Sequence, residues 1–160
     1  MRYEEADESL ISIFSKVLEE RFAQYSYLNF KLVYDLKKRT RNSNLIMVSI
    51  ELASPKIKFL TQDKKVEEGY DYILFMDKRA WELASTKDRE RLISHELRHV
   101  FIDELGRPKI VGHELEDFYA EIELNRDNPE WGRKLAVLVM DVYDQEAENI
   151  KSKKTSKVEV

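Results

Sequence analysis

Two of the three histidines in the chain stand in the run His95-Glu96-Leu97-Arg98-His99, an H-E-x-x-H pattern, and the third, His113, follows close behind. On a helix, positions 95 and 99 lie one turn apart on the same face, so both imidazoles can reach a single metal ion. Glu96 is turned by about 100° from His95. That puts it beside the metal, where a general base must stand to take a proton from a metal-activated water. The pattern points to a zinc-dependent hydrolase, with the peptide bond as the leading substrate. A chance match in a charged helix is the competing explanation. It is weakened by the helical context, by an apolar rear face and by the concentration of every histidine in one region.

The third ligand is expected to be His113, because the break at Gly106-Arg107-Pro108 can turn the chain back beside the first helix. Glu116, Glu121 and Glu123 compete with it, since a carboxylate from a second helix can complete such a site. Either set leaves a fourth position for water, the arrangement of a catalytic site holding one zinc per chain. Asp117 is placed to orient the His113 ring.

These residues need a frame. A helix over Thr86–Leu105 is expected to carry the motif, capped by Ser85 or Thr86, with Ile93, Leu97, Val100 and Phe101 anchoring it from behind. Leu92 and Ile102 flank the histidines and would keep water out. Upstream, Leu10, Ile11, Ile13, Phe14, Val17, Leu18 and Phe22 recur at helical spacing behind an Asp7 cap. Strands are expected at Phe30–Leu36, at Leu45–Ala53 (apolar enough to be central) and at Tyr70–Met76, with a short one at Lys56–Leu60. Lys37–Asn44 reads as a hairpin connection and Ala80–Ala84 as a short turn. Beyond Gly106-Arg107-Pro108, which should stop the motif helix, one helix is expected from Gly112 to Asn125. Another opens at Pro129, with Trp81 and Trp131 as core anchors. The order is a helix, a meander of three or four strands, then helices: an α+β fold.

Composition agrees. The 160 residues suit one domain, expected over 1–150, with 151–160 as a frayed Lys/Ser-rich tail. Hydrophobic residues make up 42%, enough for a core. The absence of cysteine excludes disulfides, thiolate ligands and a cysteine nucleophile, leaving imidazole and carboxylate chemistry. A net charge of −4 argues against general nucleic-acid binding. No signal peptide or membrane span is read, so a soluble, cytoplasmic protein is expected.

The segments His95-Glu96-Leu97-Arg98-His99-Val100 and His113-Glu114-Leu115-Glu116-Asp117-Phe118 together resemble the phage-type metallopeptidase family. That family pairs an H-E-L-x-H helix with a later H-x-x-x-D-F segment. The resemblance extends from Leu10 to about Asn125. It implies a minimal zincin-like fold, zinc held by His95, His99 and His113, and Glu96 as catalytic acid/base. More distantly the pattern is similar to the SprT-like proteases, which act on proteins crosslinked to DNA. Their cysteine-bearing zinc ribbon is absent here.

The basic run Lys37-Lys38-Arg39-Thr40-Arg41 could touch phosphates, but with no aromatic interleaved a solvated turn is the better reading. Tyr70, Tyr72, Tyr119 and Arg107 are candidates to stabilise an oxyanion. An extended peptide or protein substrate is expected to add to a strand within Lys56–Leu60 or Tyr70–Met76. Two rivals stand beside the peptidase. One is a metal-dependent hydrolase of another bond, and the other is a catalytically silent binding protein on the same fold. Intact Glu96 argues against both.

Overall fold

The computed structural model describes residues 1–112, 121 and 124–158. An α+β fold results, with one mixed four-stranded sheet at its centre. Strand β1 (Tyr3–Glu5) leads into α1 (Glu8–Arg21), whose first turn is capped by Asp7 accepting from the Leu10 N–H at 3.1 Å. The apolar spacing of α1 buries Leu10, Phe14 and Val17, each worth roughly 1.5–3 kcal/mol of transfer free energy.

Strand β2 (Phe30–Asp35) pairs in parallel with β6 (Tyr72–Asp77). Between them the chain forms a tight hairpin, β3 (Thr40–Arg41) and β4 (Asn44–Leu45), then strand β5 (Val48–Leu52) and helix α2 (Pro55–Leu60). The hairpin turn places Asn42 and Ser43 at φ 51° and 65°, the paired left-handed conformation that two-residue hairpins favour. Sheet order is β1-β2-β6-β5. In β6, Tyr72, Leu74 and Met76 are buried while Ile73 and Phe75 lie on the half-open face, the two-residue alternation of a strand covered on one side.

Helices α3 (Lys78–Leu83) and α4 (Thr86–Leu97) follow, then a β7–β8 hairpin (Val100–Ile102, Pro108–Ile110) and the long α5 (Trp131–Val158). The core joins α1, α4 and α5 to the sheet through Leu10, Tyr34, Leu74, Met76, Ile93, Leu97, Leu135 and Val139. Both tryptophans are buried in it as expected, Trp81 at 2% and Trp131 at 8% exposure.

Several expectations are corrected. Strand β5 is an edge, not a centre, and β6 is the inner strand. Lys56–Leu60 is helical because Ser54 caps it, accepting from the Ile57 N–H at 3.2 Å, with Pro55 in the first turn. Ala80–Ala84 lies largely within a true helix, capped by Asp77. The motif helix ends at Leu97 rather than Leu105. The β-branched and aromatic run Val100-Phe101-Ile102 pairs with Pro108–Ile110, and Gly106, at φ 78°, turns that hairpin instead of stopping a helix. Phe101 is consequently 45% exposed and does not anchor the helix. Helix α5 runs to Val158; Lys and Glu are good helix formers.

Candidate metal centre and active site

Helix α4 begins at Ser85, whose hydroxyl accepts from the Asp88 N–H at 3.1 Å. It is held down by Leu92, Ile93 and Leu97. Although the helix ends at Leu97, its last turn tightens rather than unwinds. Arg98 N–H donates to Ser94 O at 3.2 Å and His99 N–H to Glu96 O at 3.0 Å. His99 therefore stays above His95, with ring centroids 5.6 Å apart at 68°.

His99 and Val111 then hold each other. The Val111 N–H donates to His99 O at 2.8 Å, and His99 Nδ1 lies 2.6 Å from Val111 O. A carbonyl only accepts, so Nδ1 carries the proton and Nε2 the lone pair, which is the tautomer a metal needs. One ligand atom each from His95, Glu96 and His99 lies within 4.8 Å of the others.

Glu96 is 7% exposed. Burial pushes its carboxyl up to about 8, against the opposing pull of the Ile50 N–H, which donates to it, and of the Arg39 charge. Arg39 is fixed in turn by Asp35, 2.9 Å from its Nε, and donates to Ser49 Oγ at 3.1 Å. That takes Arg39 out of the basic run that could have met phosphates.

The Ile50 contact locates Glu96 on the sheet. Asp77 N–H donates to Met47 O at 2.7 Å and Ala53 N–H to Asp71 O at 2.9 Å. In an antiparallel ladder these bonds fall on every second residue. Ser49 and Glu51 thus turn their main chain towards β6, whereas Val48, Ile50 and Leu52 turn theirs to the outer edge, which pairs with no strand among the described residues. Glu96 stands on that edge. Beside it a cleft of ≈ 610 Å³ runs between β5 and the start of α5, with Met47, Val48, Leu92, His95, Glu96 and Trp131 in its wall.

Of the competing third ligands, Glu121 is described and lies outside the His95-Glu96-His99 group. It is fully buried on the neighbouring face of α4, where its Oε1 accepts from Ser94 Oγ at 2.6 Å and Arg98 Nε at 3.0 Å. Arg91 extends this tether, donating to Asn125 at 3.1 Å and to Asp127 at 2.7 Å. His113, Glu116, Asp117, Tyr119 and Glu123 lie outside the described residues.

The other oxyanion candidates are engaged elsewhere. Tyr72 donates to Lys109 O at 2.8 Å, pinning the β7–β8 hairpin. Tyr70 sits beneath Lys31 Nζ, and Arg107 pairs with Asp103 at 2.8 Å. Sequence reasoning missed Ile50, Arg39 and Val111 as neighbours of the site. Each touches it only through tertiary contacts, which no local pattern announces.

A mixed sheet with β5 at its edge, and an H-E-x-x-H helix laid beside it, define a zincin-like metallopeptidase fold. The family model described as "Putative phage metallopeptidase" matches residues 1–143, and the chain belongs to that family. Comparisons with curated proteins and with solved structures each returned no match. Among the described residues, no helix is long and apolar enough to cross a membrane.

Proposed function

We propose that this protein is a zinc metallopeptidase in which His95, His99 and His113 hold one zinc ion and Glu96 is the general acid/base. The observation that carries the reading is the convergence of His95, Glu96 and His99. The His99 tautomer, set by Val111 O, gives it further support. Two imidazole nitrogens beside a carboxylate, with no thiolate in the chain, suit zinc. Zinc bound there would act as a Lewis acid on water and on the scissile carbonyl.

The remaining work falls to the chain. Glu96 stands beside the two imidazoles, where its carboxylate can take a proton from the attacking water. The new C–O bond forms as that proton leaves the water, and Glu96 then passes the proton to the amide nitrogen as the C–N bond breaks. An extended substrate adds to β5 through the outward main chain of Val48 and Leu52. Tyr70–Met76 and Lys56–Leu60, expected beforehand to serve as that edge, are an inner strand and a helix.

The reading is tested with a peptide library and casein, using zinc-loaded wild type and Glu96→Gln. Cleavage should appear only with wild type and only without chelator. Cleavage by a zinc-loaded Glu96→Gln protein would remove Glu96 from the mechanism.

A further inference from the structure

Four glycines occur in the chain, and two have plain conformational reasons. Gly69 and Gly106 both sit at φ 78°, and a Cβ on Gly69 would fall 1.8 Å from Lys58 O. Gly132 has no such reason. It lies in the first turn of α5 with no left-handed φ, and a Cβ built on it meets nothing within 4 Å. Glycine is the poorest helix former after proline, so its presence weakens the start of α5 for no gain in backbone geometry. It is one of the residues that line the cleft beside His95 and Glu96.

That cleft is chemically one-sided. Leu92 lies one turn before Glu96 on the same helix and supplies an apolar floor at 2% exposure. Met47 and Val48, from the approach to β5 and its first residue, form one wall, and Trp131 forms the other. Apart from His95 and Glu96 themselves, its charged lining residues are the exposed Glu130 and Arg133 at the α5 end. The cleft also begins where β5 presents the outward main chain of Val48. A peptide added to that edge alternates its side chains between the two faces of the sheet. One residue near Glu96 must therefore turn its side chain towards α4.

We propose that this cleft is a specificity subsite for one bulky apolar side chain (Leu, Met or Phe) of the residue next to the cleaved bond, and that Gly132 keeps it open. The proposal rests on the peptidase reading and names its substrate class. A larger side chain at position 132 grows from an unstrained helical position into the space the substrate needs.

The test profiles cleavage by zinc-loaded wild type, Gly132→Ala and Gly132→Phe across a peptide series varied at the residues flanking the cut. Wild type should favour Leu, Met and Phe over Ala, Asp and Lys at one flanking position by at least about tenfold, the usual discrimination of an apolar pocket. In Gly132→Phe the ratio of Leu to Ala cleavage should fall at least about tenfold, with Gly132→Ala between. Gly132→Ala should melt no lower than wild type, which separates cleft filling from misfolding. A flat wild-type profile, or an unchanged ratio in Gly132→Phe, overturns the proposal. Binding of the same peptides to zinc-loaded Glu96→Gln, with and without Gly132→Phe, is read in parallel. Selective binding without wild-type cleavage supports the subsite and refutes the hydrolytic reading, and unselective cleavage does the reverse. Neither binding nor cleavage refutes both.

Discussion

Replacing Glu96 by Gln should stabilise the metal-free protein, and by an amount that depends on pH. In the fold the Glu96 carboxyl titrates near 8, against 4.5 for an unperturbed glutamate, because burial penalises its charged form. With the folded value raised, the favourable contribution of the protonated group is complete below about 4.5 and is lost as pH rises towards 8. Gln imitates the protonated form and can still accept from the Ile50 N–H, so it escapes that loss. At about 1.36 kcal/mol per pH unit, the variant should exceed wild type by under about 1 kcal/mol at pH 5. The gap should widen to roughly 3 kcal/mol at pH 7 and level off near 5 kcal/mol above pH 8. Urea melts of both proteins with chelator, at intervals from pH 5 to pH 9, read the gap directly. Zinc should then narrow or reverse it, because a cation beside Glu96 favours its carboxylate. A gap that stays flat across that range would refute the buried, charge-averse Glu96 of the metal-free fold.

Three further outcomes are expected. Zinc-loaded Glu96→Gln should hydrolyse peptides about 10²- to 10⁴-fold more slowly at unchanged metal content, measured on one sample by kinetics and elemental analysis. His113→Ala should weaken zinc binding as severely as His95→Ala or His99→Ala, measured by competition with a chelator; zinc held as tightly as in wild type would move the third ligand to another residue. Glu121→Ala should cost about 3 kcal/mol of stability in urea melts, because it strands the Arg98 charge and the buried Ser94 hydroxyl. A loss below about 0.5 kcal/mol would mean that Glu121 is no tether.

What the sequence disclosed, and what it hid, divides along the range of the forces involved. Helix α1 was legible because its apolar spacing and Asp7 cap are local, and so was the start of α4 at Ser85. The convergence of His95, Glu96 and His99 was legible because it needs only one helical turn. The end of α4 was not. Val100-Phe101-Ile102 continues the helical apolar spacing, and only its β-branched and aromatic character, followed by Asp103 accepting from the Leu105 and Arg107 N–H groups, marks the hairpin. Ser54-Pro55 carried a helix-start signal for α2, although Lys56–Leu60 reads as a short strand. Strand β5 looked central because it is apolar. Its place at the edge follows from the parallel β2–β6 pairing, a long-range choice that hydrophobicity does not encode. Glu121 was one acid among several until its burial against Ser94 and Arg98 showed it to be engaged with the neighbouring face of α4.

The most direct test of the central claim is elemental analysis of the purified protein, followed by peptide cleavage on that same sample before chelation, after chelation and after zinc is returned. The result expected is about one zinc per chain, cleavage lost with the metal and restored by zinc, and a melting temperature that falls and recovers in step. A folded protein that carries no stoichiometric metal, with cleavage and melting both indifferent to chelator, would contradict the account.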